Sequence, residues 1–250
     1  MTVQIKLTFY RLKKTEETNM ADQFGGYKIS YTVDMVFCID CTGSMDNTLE
    51  MVKNNALTLY QDISNSMAQK GKYIDCLRVR VVAFRDYVAD KEKAMMVTNF
   101  FKLPEQAADF ENCVRSLYAH GGGDEPEDGL EALAYAIKSN WNTEGMKKRQ
   151  VIVVWTDAST HPLGYGMKMP NYPNGMARNM QELTAWWGDK QNDGFVDQKA
   201  KRLLLFAPDK PGWSDVSNNW DNVIHFPSQA GEGLKEFEYS QIIATIANSI

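Results

Sequence analysis

Five apolar residues in a row, Val151 to Trp155 in the segment RQVIVVWTDA, leave a strand at that point no polar face. Successive side chains of a strand point to opposite sides of a sheet, so such a run must be covered on both faces, as in the middle of a parallel sheet. YKISYTVDMVFCID, readable as one long strand or two, ends in a similar apolar run, and LRVRVVAFRDY and KRLLLFAPD read as further strands. MVTNFFKL and DNVIHF are shorter candidates.

The segments between them carry helical spacing. In MDNTLEMVKNNALTLYQDISNSMAQKG, residues Met45, Leu49, Val52, Ala56, Leu59, Ile63 and Met67 recur at steps of three and four, which predicts one helix stopped by Gly71. PEQAADFENCVRSLYAH predicts a helix opened by Pro104, and EPEDGLEALAYAIKSNW one with Leu130, Leu133, Ala134 and Ile137 on a single face. A helix ending near AWWGD and a closing helix in GLKEFEYSQIIATIANSI complete the series. Strands alternating with helices on this scale predict an α/β fold, an open, mostly parallel sheet with helices on both faces. At the amino end, TVQIKLTFY alternates Val3, Ile5, Leu7 and Phe9, the pattern of a half-buried strand, before a polar loop ending in a Gly pair.

At 250 residues, with 44% hydrophobic and 24% charged residues and no linker or repeat, one domain with a large core is expected. A formal charge of −5 gives no general attraction to nucleic acid or an anionic membrane. The short basic clusters KKRQ at Lys147 and KAKR at Lys199 precede apolar runs and read as solvated starts of strands. No apolar run approaches the roughly 20 residues that span a bilayer, and the amino end lacks a signal-peptide pattern. Four cysteines, Cys38, Cys41, Cys76 and Cys113, suit reduced thiols. The expectation is a soluble cytoplasmic protein.

In open parallel sheets, ligands bind beyond the carboxyl ends of the strands. Three candidate sites of that kind are strongly polar here: IDCTGSM with Asp40, Thr42 and Ser44; GGGDEPED with Asp124, Glu125 and Glu127; and VVWTDASTH with Thr156, Asp157 and His161. If they cluster, several carboxylates share one crevice, and carboxylates that close together favour a cation. An oxygen-only donor set selects a hard ion, Mg²⁺, Mn²⁺ or Ca²⁺.

These segments resemble the von Willebrand factor type A domains and their metal-ion-dependent adhesion site. Asp-x-Thr-Gly-Ser at Asp40, Thr42 and Ser44 looks like the family's first motif, and FRDY, GGGDEPEDGLEAL and VVWTDA follow in the family's order. The resemblance covers about residues 30–250, leaving residues 1–29 as an amino-terminal strand or hairpin extension. It implies a Rossmann-like sheet with Mg²⁺, or Mn²⁺ or Ca²⁺, at the top. Thr42 and Ser44 would ligate directly, Asp40 directly or through water, and Asp124 and Asp157 would supply the later loops. Asp124 stands where many members have Thr; a carboxylate there strengthens metal retention and weakens the pull on a partner's acidic side chain. The implied function is a non-enzymatic protein-interaction module in which such a side chain completes the metal shell. The implied setting is a multi-protein complex with ATPase, kinase or phosphatase machinery.

Other readings of the same residues stay open. Asp124 with Glu127 is also a helix-capping pair, and Ser44 an N-cap. Cys38 and Cys41 form a C-x-x-C, but Cys38 lies within a strand and no second pair exists, which leaves Cys41 a candidate exposed thiol. Arg85 and Asp86 are expected beside the crevice, Asp86 as a helper to Ser44 or to a bound water. His161 could orient a ligand or be a loop histidine of no special role. The long loop from Ser159 to Gly175, rich in Met and Tyr, suits an adaptable protein-contact surface. A metal-dependent hydrolase with Asp124 or Glu127 as base, and a scaffold extending a partner's sheet with VQIKLTF, are the alternatives.

Overall fold

The computed structural model describes residues 29–121, 125–145 and 147–250. The amino-terminal strand expected in TVQIKLTFY lies outside the described residues, as does Asp124. Seven strands form one sheet: β1 (Ile29–Asp40), β2 (Lys72–Phe84), β3 (Met95–Val97), β4 (Phe101–Leu103), β5 (Lys148–Trp155), β6 (Lys201–Pro208) and β7 (Val223–Ser228). The order is β3-β2-β1-β5-β6-β7, with β4 also pairing β2. All pairings are parallel except those of β3 and β4 with β2, so MVTNFFKL supplies two short antiparallel strands rather than one.

The helices are α1 (Asp46–Asn55), α2 (Leu59–Ala68), α3 (Ala107–Ser116), α4 (Gly129–Ile137), α5 (Met180–Trp187), α6 (Trp213–Asn219) and α7 (Tyr239–Ser249). Strand alternation divides the core between them. From β1, Val33, Met35, Phe37 and Ile39 face a layer built with α1, α2, α3 and α7, while Val36 and Cys38 face α4, α5 and α6. From β5, Val151, Val153 and Trp155 take the first side, Ile152 and Val154 the second. This is why the run of five needs no polar residue: both faces are roofed. Each such side chain contributes roughly 1.5–3 kcal/mol through burial.

The single helix expected from Met45 to Gly71 is instead a 3-10 turn at Gly43–Met45 followed by α1 and α2, broken over residues 56–58. Local side-chain hydrogen bonds compete with the helix ladder there. Asn55 donates to the Met51 carbonyl at 2.7 Å, and the Thr58 hydroxyl contacts the Asn55 carbonyl at 3.2 Å and Asp62 at 2.8 Å. The apolar row from Leu49 to Met67 still faces one core; α2 ends at Ala68, and Gly71, at φ +68°, lies three residues on in the turn that leads to β2.

Helix α4 starts at Gly129, beyond Glu127, so Glu127 holds no capping place in its first turn. The reason is tertiary. Glu127 donates its N–H to the Ser159 carbonyl at 3.0 Å and accepts from His161 N–H at 2.8 Å, an extended bridge to the loop after β5. Gly129 then passes close to α6: a Cβ there would lie 2.4 Å from the Trp213 ring. Gly129→Ala is expected to destabilise the fold by roughly 1–3 kcal/mol through overpacking, read as a lower urea midpoint at unchanged slope.

Candidate metal centre

Strands β1 and β5 are parallel neighbours paired up to Ile39 and Trp155, so Asp40 and the residues after Trp155 emerge together at the same edge. Asp40 is fully buried. Its Oδ1 accepts from the Thr42 N–H at 2.8 Å and the Thr42 hydroxyl at 2.6 Å, and its Oδ2 from the Thr156 hydroxyl at 2.6 Å. Asp157 accepts from the Ser44 hydroxyl at 2.8 Å and from Gly233 N–H at 2.7 Å. Four residues singled out in the sequence, Asp40, Thr42, Ser44 and Asp157, are thus brought together by hydrogen bonds between two strand tips.

Ser44 is no N-cap, because its hydroxyl crosses to Asp157. A cleft of about 200 Å³ opens here, lined by Thr42, Ser44, Glu127 and Asp157 among others. Burial pushes the Asp40 carboxyl up to about 6, against the hydrogen bonds from Thr156 and Thr42, and the charge of Asp157 adds to the rise. Glu127 is pushed up to about 9 by burial and then by the charges of Asp40, Asp86, Asp90 and Asp128. The carboxylates around the cleft are short of positive charge, and hydroxyls and carboxylates are the donors a hard divalent ion takes. Among the described residues no three His, Cys, Asp or Glu side chains already converge as a metal cluster. A set that leans on hydroxyls would not do so.

Arg85 and Asp86 flank this edge, as expected. Arg85, buried, donates to four carbonyls, those of Cys41, His120, Lys93 and Tyr118, at 2.6–2.9 Å. One guanidinium thereby ties together three loops around the cleft. Asp86 does not reach Ser44: it accepts from Val88 and Ala89 N–H and pairs with His161 Nε2 at 2.9 Å. His161 stacks on Tyr165, with ring centroids 3.7 Å apart, so it serves to pin the long loop. Cys41 is fully buried, not exposed; burial pushes its thiol up to about 12, and that of Cys38 upward too, which makes both inert.

Sequence reasoning missed the loop before α7. Gly231 N–H donates to the Asp157 carbonyl at 3.0 Å, and the Thr48 hydroxyl holds the Gly233 carbonyl at 2.6 Å. A Cβ at Gly233 would meet the Ser44 carbonyl at 2.4 Å, so the spacing Gly-Glu-Gly was the available signal for this close approach. Also missed was a carboxylate pair beneath the long loop. Asp128 accepts from Tyr87 N–H, and Glu131 accepts from Gly164 N–H and the Tyr172 hydroxyl, both at 2.9 Å.

Burial and the neighbouring Glu131 charge push Asp128 up to about 7, and burial raises Glu131 as well. A carboxyl raised on folding binds its proton more tightly in the native state. Its stabilising effect is therefore full below the unfolded value near 4 and is lost as pH rises towards 7. Asp128→Asn, which keeps an acceptor for Tyr87 N–H, is expected to flatten this loss, on the order of a kcal/mol per pH unit across that window, in urea unfolding at pH 5 and pH 8.

Comparison with known proteins gives the geometry a family. A family model described as a von Willebrand factor A domain matches residues 34–163, more than half of the chain. The alpha-protein kinase vwkA of Dictyostelium discoideum is 24% identical over 163 residues, 65% of this chain and 24% of the relative, so the match spans about a quarter of that protein. Among solved structures, the pilus adhesin SpaC from Lactobacillus rhamnosus GG matches 87% of this chain and 30% of its own, at 14% identity and a TM-score of 0.48. A von Willebrand factor type A structure from Catenulispora acidiphila matches 86% of this chain and 42% of its own, at 15% identity and a TM-score of 0.46. No helix among the described residues is long and apolar enough to cross a membrane. With the matched region running from within β1 through β5 to the loop beyond it, the chain belongs to the von Willebrand factor A domain family, a family of protein-interaction modules.

Proposed function

We propose that this chain binds one hard divalent cation, Mg²⁺ with Mn²⁺ or Ca²⁺ as substitutes, at the carboxyl edge of its sheet and uses that face to engage a protein partner. The observation that carries the reading is the shared cleft, where Thr42, Ser44 and Asp157 meet over buried Asp40. Thr42 and Ser44 each give their proton to a carboxylate, which leaves hydroxyl lone pairs for an ion. Asp40, already accepting three hydrogen bonds, would act through water, and Asp157 directly. Asp124 would complete the set from the third loop. An open coordination position would take an acidic side chain of the partner.

The surroundings suit a contact surface. Tyr165 and Met167 on the long loop are 53% and 61% exposed, while Glu131 and His161 hold that loop to the domain. The reading is non-enzymatic, in keeping with a family whose members are generally interaction modules. We extend the proposal to the setting, a cytoplasmic complex subunit working with ATPase, kinase or phosphatase machinery. The kinase in the name of the Dictyostelium relative fits that setting.

Isothermal titration with Mg²⁺ and Mn²⁺ should show one site in the wild type and at least about ten-fold weaker binding in Asp40→Ala, the loss typical of a disturbed ligand shell. Equal binding by both proteins would end the metal claim. Capture of the partner from native extract should fail in chelator and return with excess Mg²⁺.

A further inference from the structure

The edge of the sheet opposite the cleft is basic. Strands β1, β2, β5 and β6 run parallel and start together there, at Ile29, Lys72, Lys148 and Lys201. Their pairing joins the clusters KKRQ and KAKR on neighbouring strands, with Gln150 opposite Lys201 and Val151 opposite Arg202. Two of these cations are spent: Lys148 pairs with Asp197 at 3.4 Å, and buried Lys201 with Asp221 at 2.7 Å. Arg149 and Arg202 are not. Side-chain alternation turns both to the α2 and α7 side of the sheet, two residues before Val151 and Leu204. Arg149 on β5 and Lys72 on β2 lie 5.3 and 5.7 Å from the ring of Tyr31, which β1 places between them. Lys70, just after α2, donates to Asn248 of α7 beside this strip.

Among the described residues no ion pair includes Lys70, Lys72, Arg149 or Arg202. Burial, and then the charges of Arg149, Lys70 and Arg202, hold the Lys72 ammonium below its ordinary value, and burial with Arg149 does the same to Arg202. Like charges so placed favour an anion. Arg149 is free to meet one. Its Nη1 donates only to the carbonyl of Lys148, its own neighbour, at 2.8 Å, and its Nε is buried without a hydrogen bond among the described residues. A guanidinium that turns outward from that posture exchanges an unmet N–H for a charge-assisted bond. We infer that Lys72, Arg149 and Arg202, with Lys70 beside them, dock a short acidic segment of a partner protein. The strip crosses four adjacent strands, about 14 Å, a span that about four residues of extended chain cover. A formal charge of −5 over the whole chain opposes a long polyanion such as nucleic acid, whereas a short segment meets only the strip. This contact is separate from the cation cleft and does not depend on it.

The test is fluorescence anisotropy of a labelled hexaglutamate peptide with the full chain at low salt, in chelator throughout. The wild type should bind it, more weakly as salt is added. The double variant Arg149→Gln/Arg202→Gln should bind on the order of five-fold more weakly, the loss of two exposed charge pairs, with a Tm equal to or above that of the wild type. Lys168→Gln/Lys190→Gln removes the same net charge elsewhere and should bind as the wild type does. No binding by the wild type, wild-type affinity in the Arg149/Arg202 variant, or an equal loss in the Lys168/Lys190 variant would each overturn the inference. So would tighter binding of a single-stranded DNA of equal charge, lost in the Arg149/Arg202 variant, which would give the strip to nucleic acid. Should the double variant not fold, Lys72→Gln decides: it should weaken hexaglutamate binding, and wild-type affinity would overturn the inference.

Discussion

The hydrogen bond from the Thr156 hydroxyl to Asp40, 2.6 Å long, joins residues 116 apart in sequence at the tips of two adjacent strands. It exists because β1 and β5 are parallel and in register, each buried on both faces. Parallel pairing needs a crossover, and the chain between these strands provides it with β2, β3, β4 and the first four helices. The polar edge depends on this pairing: without it, Asp40 and Asp157 would have no common cleft. Register is well specified because a one-residue slip would exchange the two faces of β1, turning Val33, Met35, Phe37 and Ile39 away from the layer they fill.

Concentrating carboxylates at that edge costs stability in the absence of a counter-charge, and the protein answers with dipoles rather than lysines. Asp40 takes two hydroxyls and an N–H, Asp157 a hydroxyl and an N–H, and Asp86 two N–H groups and an imidazole. Arg85, a cation at this edge, spends its donors on carbonyls of three loops. These hydrogen bonds offset part of the cost of burial, which still raises Asp40, and no cationic side chain is among the described residues lining the cleft, which is the electrostatic condition a divalent cation meets.

The fold was legible because its signals are local. The continuous run in β5, the helical row through α1 and α2, and Gly71 in the turn after α2 each report their own element. The break at residues 56–58 was not legible, since an apolar row keeps its phase whether or not the ladder is interrupted. Neither was the role of Glu127. Its spacing from Asp124 fits a capping box, yet a bridge to a loop some thirty residues away takes its backbone out of the helix. Asp86 was placed at the right edge, but its pairing with His161 was not legible, because only packing brings that side chain beside it.

What the sequence determined by itself was a parallel sheet covered on two faces, with Asp40, Thr42, Ser44 and Asp157 at strand ends. Side-chain alternation and residue type suffice for that, and both are properties of short segments. Only the tertiary structure decided which ends meet, that Ser44 turns to Asp157, that Cys41 is sealed, and that Glu127 lines the cleft with its Oε2 unpaired among the described residues. Those outcomes depend on neighbours distant along the chain, and no local pattern encodes the distance between them.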